Sequence, residues 1–342
     1  MQKQIALIFI AVIALSNAKA MDAPSWSGDL RYRNERIDQD NKDARFRNRI
    51  RARLKAAGKV QEDLSYAFRI ASGSSDPLST NQTLDGGFSS KGINLDLAYL
   101  KYATDFGQLV AGKMKNPWAK PAKTELVWDG DLSPEGLAYH LPIKMLFVNL
   151  GYLWVDERST GPDAVLQGLQ LGLQHGGDLI QFTFAAAYFD YLSTQGESTF
   201  VDTADSFGNS TDAASKYAND YNLINSFIEL KFKTKIPFTL FADFVTNIDP
   251  KKNDGGYLAG FNIGKKIKFS YNYRKVEKDA VIGAFTDSDF AGGGTDAKGH
   301  ELGLGYSFNK RTKLAFSHFL NKTASLTNEN YTRSMLDFSL KF

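Results

Sequence analysis

Apolar and polar residues alternate with a period of two along most of this chain, and the clearest stretch is Ile50-Arg-Ala-Arg-Leu54, apolar on even numbers and basic on odd ones. Successive side chains of a strand point to opposite faces, so such a segment has one oily and one wet surface. Reading alternation against turn residues predicts strands over 26–36, 44–56, 60–71, 93–103, 107–115, 134–142, 145–155 and 165–175. The second half continues with 179–190, 221–232, 236–247, 256–264, 266–276, 298–308, 311–320 and 332–342. The last segment, Met335-Leu-Asp-Phe-Ser-Leu-Lys-Phe342, places Leu336, Phe338, Leu340 and Phe342 on one face. These sixteen segments form an even set, as closure of an antiparallel bacterial barrel requires. Short turns near 57–59, 105–106, 143–144, 176–178, 234–235, 264–265 and 309–310 alternate with generally longer connections. The predicted fold class is all-β, a transmembrane antiparallel β-barrel of about 16 strands, the architecture that satisfies every backbone group in lipid without leaving an edge.

The N-terminus carries Lys3, an apolar run from Ile5 to Leu15, and Ala18-Lys19-Ala20. That is the layout of a secretory signal peptide, and the apolar run falls short of the roughly 20 residues of a spanning helix. The reading is a signal peptide over 1–20 and one barrel domain over 21–342. Removing Lys3 and Lys19 takes the formal net charge from +3 to +1, too little imbalance to point to a nucleic-acid partner. The chain has no cysteine, so packing and backbone hydrogen bonds must hold it without disulfides.

A sixteen-strand barrel encloses an aqueous channel, so the lumen is where function is sought. Arg45, Arg47, Arg49, Arg51 and Arg53 share one face of the second strand, and Arg31 and Arg33 continue the pattern on the first. A charged face must look into water, so these arginines are expected to line the pore, with Lys113 and Lys115 adding to them. Such a row either lowers the barrier to anions or pairs with carboxylates and sets pore width. Glu35 and Asp63 are neighbours in sequence, and Asp96, Glu229 and Asp243 are acidic groups that would cancel the field.

The connection 116–133 contains Pro117, Pro121, Trp118 and Trp128, with Pro134 opening the next segment. Its large apolar residues suit an inward fold, which would bring Trp118, Lys120, Lys123, Glu125, Trp128, Asp129 and Asp131 to the narrowest part of the channel. The alternative is an outer cap packed by its tryptophans. The connections 72–92, 191–220, 277–297 and 321–331 are rich in small polar residues and read as a solvated outer surface. Asp202, Asp205, Asp212, Asp287 and Asp289 lack the ligand pattern of a strong calcium loop, so no metal and no cofactor is expected.

At Gly112-Lys-Met-Lys-Asn-Pro-Trp118 and Val127-Trp-Asp-Gly-Asp-Leu-Ser-Pro-Glu-Gly-Leu-Ala-Tyr139, with the aromatic terminus Phe342, the chain resembles the putative-porin group of bacterial outer-membrane proteins. The resemblance in architecture covers essentially Met21 to Phe342, while the local motifs cover a small part of it. It implies passive diffusion of small hydrophilic solutes across the outer membrane through sixteen strands, with outer-membrane lipids around the barrel. Members are often homotrimers, and the third external loop, here 116–133, sits at the constriction. The family's last aromatic, matching Phe342, looks like part of the assembly signal read by the barrel-insertion machinery. Phosphate-selective porins are less similar: Arg45 to Arg53 resemble their basic lining, but no lysine-rich binding loop matches.

Two other classes compete with a channel: a non-conducting structural or adhesive barrel, and a lipid hydrolase. His140, His175, His300 and His318 lie on separate predicted strands, and no motif marks a nucleophile and its base, so no enzyme is expected.

Overall fold

The computed structural model describes residues 23–323 and 328–342; the expected signal peptide over 1–20 lies outside them. The wall begins with β1 (Ser25–Gln39), β2 (Arg45–Lys59) and β3 (Leu64–Ser72), followed by the two-residue β4 (Gln82–Thr83). It continues through β5 (Ile93–Ala103), β6 (Gln108–Lys113), β7 (Glu135–Ile143), β8 (Leu146–Asp156), β9 (Ala164–Gly176) and β10 (Ile180–Leu192). The remaining strands are β11 (Tyr221–Phe232), β12 (Phe238–Asn247), β13 (Gly255–Gly264), β14 (Ile267–Val276), β15 (Ala297–Ser307), β16 (Thr312–Thr323) and β17 (Glu329–Lys341). Each wall strand pairs antiparallel with its sequence neighbours, and β1 pairs with β17 from Asp29↔Lys341 to Gln39↔Tyr331, which closes the cylinder. β4 only extends the short β3 alongside β2, at Arg49↔Thr83, so the barrel has sixteen strands, as the alternation predicts. Full closure leaves no unpaired edge.

The strands follow their side-chain pattern. On β2, Phe46 is 67% exposed on the outside while Arg47, Arg49 and Arg51 turn inward and are partly covered. The outer surface is a band of Leu, Ile and Phe, with Trp26, Phe106, Phe308 and Phe342 near the short-turn end and Trp154, Tyr188 and Tyr257 toward the long-loop end. This is the surface that hydrocarbon flanked by two interfaces selects. At closure, the Gly28 N–H donates to the Phe342 carbonyl at 2.9 Å and the Phe342 N–H donates back to Gly28. A Cβ on Gly28 would come within 2.5 Å of the Phe342 ring, so the missing side chain makes room for the last aromatic.

Some boundaries move. β2 runs through the expected turn at 57–59, and β3 starts at Leu64 rather than at 60. The larger correction concerns the long connections. Segments 193–220 and 277–296 are not wholly a solvated outer surface: residues 201–205 and 211–215 are exposed, but Phe200 and Tyr217 of the first, and Ala280, Val281, Ile282, Ala284 and Phe290 of the second, are buried. Most of these residues join Trp118, Leu126, Val127 and Trp128, together with inward side chains such as Phe189, Tyr191, Tyr221, Leu223 and Leu258, in one apolar core inside the barrel. That core covers the inner face of β8 to β14, so the polar lumen runs along the opposite wall of β1, β2, β3 and β17.

Candidate pore constriction

The polar wall begins as a problem of like charges. Register sets Arg31 opposite Arg51 and Arg33 opposite Arg49 across the β1–β2 pair. Same-sign neighbours across strands repel, so the wall needs counter-charges. Arg51 and Arg53 each reach Asp29 at 2.8 Å, and Arg53 also approaches Asp131 at 3.3 Å. Arg33 holds Asp337 at 2.7 Å and Asp289 at 3.1 Å, while Arg31 lies 3.6 Å from Asp337 and donates to Asn81 at 2.6 Å. Glu35, fully enclosed, contacts Arg47, lies 2.7 Å from Arg333 and 3.8 Å from Arg49. Arg333 also meets Asp289 at 2.9 Å. Arg45 stands nearer the rim and lines the outer vestibule.

Arg333 is absent from the sequence-based set. Its signal was legible, because the outward run Leu336, Phe338 and Leu340 makes odd-numbered positions of β17 face inward. Asp63 bonds Gln61 in a turn and takes no part in the wall. Asp96 is held by Arg69, and Glu229 and Asp243 serve the loop described next, so none of the three cancels the arginines.

Residues 114–134 fold into the lumen, pinned at successive points. Pro117 and Pro121 prevent the segment from continuing the ladder, so its backbone groups must find other partners. The Ala119 N–H donates to Gln170 Oε1 at 2.8 Å and its carbonyl accepts from Gln170 Nε2 at 3.0 Å. The Ala122 N–H donates to Glu229 at 2.7 Å, and the Thr124 hydroxyl to Asp243 at 2.8 Å. On the other flank, the Asp129 N–H donates to the Phe285 carbonyl at 2.8 Å, and the Ser288 N–H to the Asp129 carboxylate at 3.0 Å. Trp118 and Trp128 anchor the segment, their ring centroids 4.9 Å and 5.4 Å from Phe189.

Trp118 lies in a slot made by Gly151 and Gly168, where a Cβ would come within 2.7 Å and 2.6 Å of the indole. Gly168→Leu is expected to cost about 1–3 kcal/mol by overpacking. The readout is a lower urea midpoint of the heat-modifiable barrel together with noisier open-channel current. An unchanged midpoint with quiet current would show that the slot does not hold the loop.

The turned-in segment and its neighbour 277–296 present carboxylates to the arginine wall. Glu125, Asp129 and Asp287 bring oxygens within 4.8 Å of one another, with Asp287 at 2.7 Å from Arg274. Burial, then the charges of Asp287 and Asp129, push the Glu125 carboxyl well above its ordinary range. Burial and the nearby Asp287 raise Asp129 to about 7, against the pull of the Ser288 and Asp131 N–H groups. Asp289 behaves in the opposite way: burial opposes its charge, but Arg333, Arg33 and Arg31 outweigh burial and hold it well below the usual carboxylate range. Between the two sides lies a cavity of about 260 Å³, bounded by Arg31, Arg33 and Arg51 and by Glu125, Asp129 and Asp131. It shares Leu78, Ser288 and Asp289 with a vestibule of about 650 Å³ toward the long loops.

Not every expected residue faces this gap. Trp118 and Trp128 are buried anchors, and Lys120 braces the loop by donating to the Trp128 carbonyl at 2.7 Å. Lys113 is corrected outright: it pairs with Glu135 at 2.8 Å on the outer side, next to the exposed Trp154, and does not line the pore. Beyond the end of β6 at Lys113, Lys115 turns inward. The aperture is set instead by Glu125, Asp129, Asp131 and Asp289 opposite the arginines, with Lys123 exposed on the loop.

The histidines do not converge. His140 bonds Asn149 and His300 bonds Tyr271, while His318 bonds the Ser334 hydroxyl at 2.9 Å on the outward face. Among the described residues, no carboxylate bonds His318, so this Ser–His pair lacks the acid that would orient its base.

A family model described as "Putative porin" matches residues 8–239 and 253–342. No curated protein matches the sequence. Solved structures with a similar fold include a substituted form of the Rhodopseudomonas blastica porin, at 11% identity and a TM-score of 0.55. A triple mutant of the same porin gives 10% identity and 0.53; both comparisons cover 93% of this chain and 100% of theirs. A loop-deleted form of OmpT, an outer membrane protein of Vibrio cholerae, gives 14% identity and 0.50, covering 94% and 100%. At these identities the likeness concerns the fold.

Proposed function

The chain belongs to the putative-porin family, and from that premise we propose that it is a passive diffusion channel for small hydrophilic solutes in the bacterial outer membrane, with a preference for anions. The observation that carries this reading is the charged gap between the inward loop and the arginine wall. A loop spanning a wide barrel selects solutes by size, and opposed charges across a narrow gap orient dipolar ones. The anion preference rests on the balance along the arginine wall as a whole, since the gap itself sets Arg31, Arg33 and Arg51 against Asp131 and Asp289 beside the raised Glu125 and Asp129. Arg31, Arg33, Arg47, Arg49, Arg51, Arg53 and Arg333 face Asp29, Glu35, Asp131, Asp289 and Asp337, seven cations to five anions. The protonated share of Glu125 and Asp129 adds nothing to the negative side. The same reading places the outward aromatic and aliphatic band in lipid, assigns Phe342 to recognition by the barrel-insertion machinery, and takes a homotrimer as the assembled form.

The test is single-channel current across a planar bilayer with refolded mature protein under a salt gradient. Stable conductance steps with a reversal potential on the anion side are expected. Asp129, raised to about 7, and Glu125, also raised, gain protons as the solution is acidified. The Asp129 charge is therefore half present near pH 7 and is lost as the solution is acidified further, with Glu125 changing in the same direction, so the anion preference should grow between about pH 8 and about pH 5. No conductance from a verified barrel would overturn the channel, and a reversal potential independent of pH would remove these carboxylates from the field.

A further inference from the structure

The arginines along β1, β2 and β17 are largely neutralised by partners, but a second set of inward cations is not. Among the described residues, the amines of Lys55, Lys101, Lys115, Lys123, Lys268 and Lys313 have no hydrogen bond and no ion pair. Four of them sit near the short-turn ends of their strands: Lys55 on β2, Lys101 on β5, Lys268 on β14 and Lys313 on β16. Lys123 projects from the inward loop and interacts electrostatically with both Lys115 and Lys268, so it links the two sides of the lumen. Two carboxylates on the elements that carry this group are already engaged: Asp96, on the strand of Lys101, by Arg69, and Glu229 by Lys231 and by the Ala122 N–H next to Lys123.

We propose that this short-turn half of the lumen is a transient binding site for small dianionic oxyanions, centred between Lys101, Lys115 and Lys123. The proposal rests on the diffusion-channel reading and names the solute class that the channel retains longest. A cavity of about 180 Å³ gives the site shape, with Lys101 and Lys115 on its lining beside Tyr99, His140 and Asn149. Like charges gathered without counterions repel, and an anion carrying two charges relieves that repulsion by bridging two amines, where a monovalent ion meets one. Burial first, then the neighbouring charges of Arg69, Lys55, Arg53 and Lys123, hold the Lys115 amine below the ordinary lysine value, in keeping with that repulsion. Lys115 and Lys123 are exposed to lumen water and Lys101 is half-buried, so the site binds weakly enough to release. The arginine gap thus filters solutes, and the lysines beyond it draw anions through.

The test adds inorganic phosphate, sulfate, succinate or acetate to single channels at fixed chloride. Phosphate, sulfate and succinate are expected to reduce the chloride current saturably, and acetate to leave it unchanged. Each exposed ion pair lost corresponds to a weakening of roughly two- to fivefold, so the double variant Lys115→Gln, Lys123→Gln should raise the half-blocking concentration by about that factor squared. Lys115→Arg should retain block, and Lys252→Gln, on an outer loop, should behave as the parent protein. Equal block by acetate, or unchanged block in the double variant, overturns the site while the channel stands. Absence of any current from verified barrel overturns the channel and the site together.

Discussion

Replacing Glu35 by glutamine is expected to destabilise the barrel by about 3 kcal/mol and to shift its reversal potential toward anions. The side chain is completely enclosed and is the shared counter-charge of Arg47, Arg49 and Arg333. Removing one partner of a buried ion pair costs roughly 3–5 kcal/mol, because the remaining charge is left desolvated and uncompensated. Lumen water lies close to Arg47 and Arg49, each more than a tenth exposed, which places the cost at the low end. The readout is the urea midpoint of the heat-modifiable form, with the reversal potential measured on the same preparation. Replacing Arg333 by glutamine in the same chain should cost less than the two single changes summed, since the second removes a charge that the first left unpaired. An unchanged midpoint would mean that the wall is not held by its carboxylates.

Replacing residues 117–131 by a short Gly-Ser linker is expected to raise single-channel conductance roughly twofold or more, because the segment and the groups packed on it occupy much of a lumen wide enough for an aqueous channel. The cavity it bounds is only about 260 Å³, while the vestibule above it is about 650 Å³. The change also removes Trp118 and Trp128 from the inner core, so the barrel must first be shown to retain its heat-modifiable mobility. Larger current with weaker discrimination by solute size would identify the loop as the limiting element. Unchanged conductance in a folded barrel would place the narrowest point elsewhere, for instance at Tyr331 and Arg333 beside the 277–296 segment.

Alternation by itself determined the barrel, the strand number and the inward direction of Arg47, Arg49 and Arg51, because the face a strand residue occupies is a local property that lipid on one side and water on the other impose at every second position. It also showed that 116–133 is too apolar for an exposed loop, through two tryptophans and the prolines beside them. What it failed to decide was pairing. Asp29 and Glu35 face Arg53 and Arg47 across the β1–β2 hairpin, whose register alternation alone leaves open, while Asp337 and Arg333 join the wall through the closure of β1 on β17 and Asp289 comes from a loop more than 200 residues away, contacts that no local pattern encodes. Parity failed at Lys113, where the short β6 has little alternation and the strand ends before Lys115. The polar composition of 193–220 and 277–296 hid the few large residues, Phe200, Tyr217, Ile282 and Phe290, that draw those segments inside. Only the tertiary structure decided that the arginines are paired and the lysines are not, since a field depends on charges left over after every contact has formed.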